Sequence, residues 1–316
     1  MISHERAALA VAAVTLVVLL WAMDPAAVGR MVVGVGWGMG LILSQELVAH
    51  LLNALGWRLA FTADQAAAFP LLELVRLRIA GDAVNYLTPS ANIAGEVTRT
   101  VLLNDSHRVE VRAAAVLVAK CVQTLAQILF AATGVLLVFG GHVPFPAVLA
   151  GGAIVAALAA SGLGIRRARQ RRGAPASGAL PRTGLRAVLA GSRDFVARHP
   201  GRLVLSTVMF VLAYAWGAFE AYWICHFIGL PVGVGAALTI EALSTAVDSI
   251  LFMVPAKVGT QEGGKAAVFV ALGLPAASGF AFGVVRHVRE LIWAGLGLLL
   301  RWTHQPAPAS PARPAI

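Results

Sequence analysis

The feature that most constrains this chain is a series of apolar runs: Ala7 to Met23, Met31 to Leu52, Ala113 to Gly140, Pro146 to Ile165, Leu203 to Ile228 and Ala276 to Leu300. A helix needs about 20 mostly apolar residues to cross a bilayer, where no water is present to take its backbone hydrogen bonds. Composition agrees. Of 316 residues, 59% are hydrophobic and 13% charged, whereas charged residues make up about a quarter of an ordinary soluble domain. The sequence reads as an all-α polytopic membrane protein with about six full spans. One transmembrane domain covers residues 1–304, and a disordered tail rich in Pro and Ala covers 305–316.

The net charge of +10 does not point to nucleic acid, because its placement is topological. Arg166, Arg167, Arg169, Arg171, Arg172, Arg182, Arg186, Arg193 and Arg198 crowd one stretch between apolar runs. That is the positive-inside signature of a cytoplasmic linker, here 166–199, and its Pro, Ser and Gly residues read as a flexible connector. The first run has the length of a secretory signal. Asp24-Pro25 follows it without a small-x-small cleavage site, so it reads as a retained span. Gly34, Gly36, Gly38 and Gly40 in the second run suit close helix packing better than dinucleotide binding. Two cysteines in apolar surroundings and scattered histidines imply no disulfide framework, no metal and no cofactor.

Two regions resist the simple reading. Residues 53–103 and 230–274 carry charges and prolines and lack an uninterrupted apolar run. With the linker in the cytoplasm, the first begins and ends inside and the second outside, so each is predicted to be a re-entrant or broken-helix hairpin. Asp82, Pro89, Glu96 and Arg99 in the first recur 166 residues later as Asp248, Pro255, Glu262 and Lys265, and Lys120 maps onto Arg286. This offset predicts an inverted repeat, with repeat 1 at about 31–140 and repeat 2 at about 200–304. Transporters built from such repeats place a polar site near the bilayer midplane.

Ionisable groups inside membrane segments are costly and mark functional sites. The candidates for headgroup binding or coupling are Asn85, Pro89, Asn92, Glu96, Arg99, Lys120, Pro255, Lys257, Glu262, Lys265, Arg286, Arg289 and Glu290. Arginine and lysine suit a phosphate-type headgroup, and the carboxylates suit an amine or a proton. The alternative is that Glu96–Arg99, Glu262–Lys265 and Arg286–Glu290 are intrahelical pairs that merely neutralise one another. Glu46, His50, Glu220, Tyr222 and His226 read as interhelix hydrogen-bonding residues.

Asn85-Tyr86-Leu87-Thr88-Pro89 followed by Gly95-Glu96 and Arg99, and Pro255 followed by Gly259, Glu262 and Arg286, resemble the transmembrane, flippase-like family of lysylphosphatidylglycerol synthases. Within it, the chain is similar to the hopanoid-associated membrane proteins. The resemblance implies an inner-membrane protein, not an enzyme, that binds or moves a phospholipid, a hopanoid or a polyprenyl-linked lipid. The larger synthases carry a soluble transferase domain after the membrane part. This chain ends about 16 residues after its last run, so synthase activity is not expected of it. Two other readings stand beside translocation. One is a lipid-modifying enzyme in which Glu96 and Glu262 meet as paired acids. The other is a non-catalytic partner that recruits a lipid-synthesis enzyme through the basic linker.

Overall fold

The computed structural model describes residues 25–88, 93–140, 184–250 and 254–303. The expected spans at 7–23 and 146–165, the tail, and the site candidates Pro89 and Asn92 lie outside them. All regular elements among the described residues are helical. In chain order they are α1 (Pro25–Val35), α2 (Gly38–Arg58), α3 (Ala63–Ala67), α4 (Leu71–Leu87), α5 (Ala94–Leu102) and α6 (Val109–Gly140). Then follow α7 (Gly184–Arg198), α8 (Pro200–Phe227), α9 (Val234–Ile250), a 3₁₀ turn (Pro255–Lys257), α10 (Thr260–Ala271) and α11 (Ala276–Thr303).

Three of these are long and apolar enough to cross a membrane: Gly38–Arg58, Val109–Val138 and Pro200–Phe227. Helix α11 is 28 residues long, as α8 is. It carries Arg286, Arg289 and Glu290 at its middle and is not one of the three. The single span expected from Met31 to Leu52 is instead two helices, parted at Gly36 and Trp37. Gly36 has φ +47°, a left-handed conformation that glycine adopts without penalty and that ends α1. The close-packing role read from these glycines does hold at Gly38, where a Cβ would run into the Phe227 ring of α8.

The linker differs from expectation over its described part, 184–199, whereas the Pro-, Ser- and Gly-bearing part at 166–183 lies outside the described residues. Its last part, α7, is an ordered helix with Phe195 buried against a core that includes Trp57, Ala115, Val118 and Leu203. Ser192 adds a hydrogen bond to Ala114 O at 3.4 Å. An apolar stripe one residue wide per turn is enough to dock a helix, and the arginines between those positions hid it.

Helices α2 and α8 pack side by side. Ser206 Oγ donates to Gly56 O at 2.8 Å, and Trp216 Nε1 donates to Gln45 O at 3.1 Å. The carbonyls at the end of α2 find a cation on α8: Arg202 donates to Arg58 O at 3.1 Å and to Phe61 O at 2.6 Å. A guanidinium is well suited to the partial negative charge there. Thr62 and Gln65 then cap α3 reciprocally, each side chain accepting from the other's backbone N–H.

Shifting α2, α4, α5 and α6 by 166 places them at 204–224, 237–253, 260–268 and 275–306, over α8, α9, α10 and α11. Packing follows the same correspondence: α4 lies on α11, and α9 lies on α6.

Candidate functional site

The first broken pair, α4 and α5, runs antiparallel. Gly95 N donates to Asn85 Oδ1 at 2.7 Å. The backbones approach so closely that a Cβ at Gly95 would overlap Gly81 O and the Asn85 amide. Asp82 joins the two half-helices by accepting from Arg78 Nε at 2.9 Å and from Arg99 Nη2 at 2.5 Å. Arg99 Nη1 also reaches both Glu96 oxygens at 2.7 Å. Lys120 on α6 lies 3.3 Å from Glu96.

The second pair, α9 and α10, repeats the central contact. Lys265 Nζ donates to Asp248 Oδ1 at 2.6 Å, the counterpart of Arg99 with Asp82. Pro255 starts the 3₁₀ turn between them. Ala256 and Lys257 follow with φ +50° and +52°, a conformation uncommon for residues with a Cβ and concentrated at functional positions. This strained turn brings Lys257 Nζ to 3.3 Å from Glu290 and 3.8 Å from Asp248.

Between the halves lies an ion network on α11. Arg286 Nη2 meets Glu220 at 2.9 Å and Glu241 at 2.5 Å. Arg289 Nη1 meets Glu46 at 2.5 Å and Glu220 at 2.7 Å. His287 Nδ1 lies 2.5 Å from Glu262 Oε1. Of the three intrahelical pairs considered from sequence, Glu96–Arg99 forms. Glu262–Lys265 and Arg286–Glu290 do not, because each member has a better-placed partner on another helix. Glu96 and Glu262 sit in separate clusters, each held by a basic side chain, rather than facing each other as an acid pair.

A cavity of about 360 Å³ opens among these groups. Glu46, His50, Arg78, Asp82, Asn85, Tyr86, Lys120 and Gln123 line it from the first half, and Tyr214, Asp248, Lys257, Arg289, Glu290 and Trp293 from the second. An adjoining cavity of about 240 Å³ shares Glu46, Asp248, Lys257, Arg289 and Glu290 and reaches Arg286, Glu220 and Glu241. Sequence-derived candidates Asn85, Lys120, Lys257, Arg289 and Glu290 thus face the space, and Arg286 faces its extension. Glu96, Arg99 and Lys265 hold the lining residues Lys120, Asp82 and Asp248 without lining the cavity, and Glu262 lies outside it with His287.

Several participants went uncounted from sequence: Glu46, His50, Arg78, Asp82, Glu220, Glu241 and Asp248. Asp82 and Asp248 had already marked the repeat, which was signal enough to include them. The network holds the cations Arg78, Arg99, Lys120, Lys257, Lys265, Arg286 and Arg289 and the carboxylates of Glu46, Asp82, Glu96, Glu220, Glu241, Asp248, Glu262 and Glu290. Seven stand against eight. Among the described residues no group of three or more His, Cys, Asp or Glu side chains converges to hold a metal ion.

Spanning helices packed around a buried, charge-lined cavity define a helical membrane protein. Residues 7–297 match the family described as the Lysylphosphatidylglycerol synthase TM region, and the chain belongs to that family, whose membrane region is tied to lipid handling. No curated protein and no solved structure matches the chain.

Proposed function

We propose that this protein is a lipid translocase of the inner membrane, in which the cavity between the two halves admits a lipid headgroup. The observation that carries the reading is the cavity wall itself, built from charged side chains on both halves of a 166-residue repeat. In this reading the halves form an inverted repeat, with each broken helix pair entering from one side and the cavity near the midplane. The basic linker and the C-terminal end face the cytoplasm, following the arginine distribution.

Lys120 and Lys257 are the contacts for the headgroup. Their ion pairs, at 3.3 Å, are longer than the 2.5–2.9 Å contacts of the buried arginines with Asp82, Glu96, Glu220, Glu241 and Glu46, and they keep 32% and 27% of their side-chain surface exposed. A compact ammonium with spare donors exchanges one anion for another more readily than a forked guanidinium does. No chemistry on the lipid is included, since each carboxylate with a catalytic geometry to offer is held by a basic partner.

The test is Lys120→Met with Lys257→Met, assayed by outer-leaflet lipid labelling in cells and by mass spectrometry of co-purified lipid. The double variant is expected to fold, lose its co-purified lipid and lower outer-leaflet labelling at least tenfold. Unchanged lipid content and labelling in a stably expressed variant would overturn the assignment.

A further inference from the structure

The two halves repeat the pair Asp82–Arg99 as Asp248–Lys265 and then part company at the next carboxylate, Glu96 in one and Glu262 in the other. Glu96 meets the permanent cation Lys120 at 3.3 Å. The residues 166 positions on are Glu262 and Arg286, and these two do not pair. Arg286 is engaged by Glu220 and Glu241. Lys265, one turn along from Glu262, is engaged by Asp248. Glu262 is left with His287, the residue after the position equivalent to Lys120, at 2.5 Å. Glu262 is 2% exposed, and its Oε2 has no hydrogen-bond partner among the described residues.

A carboxylate this deeply buried requires a compensating charge or a proton of its own. Imidazole supplies that charge only when protonated, and it is the side chain whose charge changes between about pH 5 and 8. The charge inventory of the site points the same way. Seven permanent cations against eight carboxylates leave the network one positive charge short, and one proton closes the gap.

Other ionisable groups on elements packed against the pair do not supply a fixed cation. From α4, Tyr86 stands edge-on to the His287 ring at 6.3 Å. Lys257 of the turn and Glu290 of α11 hold each other at 3.3 Å. Asp248 of α9 holds Lys265, and Glu46 of α2 and Glu220 of α8 hold Arg289. Arg30 of α1 is exposed. Tyr86 also lines the cavity, so the pair lies one aromatic ring away from the space assigned to the headgroup.

We propose that Glu262 and His287 form a proton-binding site that couples the second hairpin to the cavity. With the proton between Oε1 and Nδ1, the pair is neutral as a whole and α10 is held against α11. When the proton leaves to the cavity, the pair carries one net negative charge, its attraction is lost and α10 is released from α11. The use of that release to move a lipid rests on the translocation reading; the proton site itself does not.

The experiment uses the full chain, wild type and the His287→Gln, His287→Lys and Glu262→Gln variants, in detergent and in proteoliposomes. The first readout is the thermal unfolding midpoint from pH 5 to 8.5, which involves no lipid movement. The wild type is expected to lose midpoint as pH rises, by about 2–4 °C or more beyond the slope of His287→Gln. His287→Lys, with a permanent cation, is expected to hold its midpoint across the range. Equal pH slopes in the wild type and in whichever of the three variants fold would overturn the proton site. The second readout is lipid movement under an imposed pH gradient. Movement that ignores the gradient in the wild type would overturn the coupling. A pH slope that depends on His287, with no lipid movement at all, would keep the proton site and sink the translocation reading.

Discussion

Lys265 is fully buried and donates to Asp248 Oδ1 at 2.6 Å, joining the half-helices α9 and α10 at the position where Arg99 joins α4 and α5. The two solutions are not equivalent. Arg99 forks between Asp82 and Glu96, whereas the single ammonium of Lys265 gives its side-chain bond to Asp248 alone and leaves Glu262 to a histidine. One substitution of cation type between the halves therefore alters the chemistry of a residue on the next turn.

The first prediction concerns this pair. Asp248→Asn removes the counter-charge of a lysine with no exposed surface and is expected to destabilise by about 3–5 kcal/mol. Lys265→Met is expected to do less harm, because Asp248 keeps Lys257 at 3.8 Å. Denaturant unfolding in micelles ranks the two; the reverse order would contradict the pairing described.

A second prediction rests on backbone approach. A Cβ at Gly95 meets a carbonyl that belongs to packed backbone and cannot step aside. Gly95→Ala is expected to lower stability by about 1–3 kcal/mol through overpacking. Gly235→Ala, where nothing lies within 4 Å of the new Cβ, is the control and is expected to leave the unfolding midpoint in place.

Third, Gly217 makes room for Glu241, since a Cβ there would overlap the Glu241 carboxylate. Gly217→Ala should therefore weaken the Arg286–Glu241 contact and resemble Glu241→Gln in folded yield. Arg286→Met is expected to be more severe than either, because it leaves buried Glu241 without a cation and Glu220 with Arg289 alone. Fluorescence-detected size exclusion of membrane extracts would measure this order.

A fourth prediction separates a packed helix from a slack connector in the linker. Phe195 is 8% exposed and Leu185 is 71% exposed. Phe195→Ala is expected to cost up to about 3–5 kcal/mol, and Leu185→Ala close to nothing. Equal effects in a thermal scan would return 184–198 to the status of a tether.

What could be read from the sequence followed the range of the interactions involved. The offset of 166 was visible because Asp82, Pro89, Glu96 and Arg99 and their counterparts keep local spacing, and helix bounds at the same offset accompany them. The partners of Arg286 and Arg289 were not visible. Their carboxylates come from α2, α8 and α9, at separations set by packing rather than by any period along the chain. Glu46 and Glu220 read as polar groups on apolar helices, but nothing local says which cation each will meet. The break at Gly36 was hidden by an apolar run that continues on both sides of it, and α7 was hidden by its arginines.

The bond between Arg289 and Glu46 spans 243 residues, and that span has a consequence for biogenesis. During synthesis α2 enters the bilayer long before its counter-charge exists. Glu46 must wait, protonated or chaperoned, until the last described helix has been made. Quality control in the membrane can therefore sense completion through charge: a nascent chain halted before α11 displays Glu46, Glu220 and Glu241 unneutralised within lipid. Such intermediates should be cleared rapidly, which makes α11 the keystone of assembly as well as a wall of the cavity.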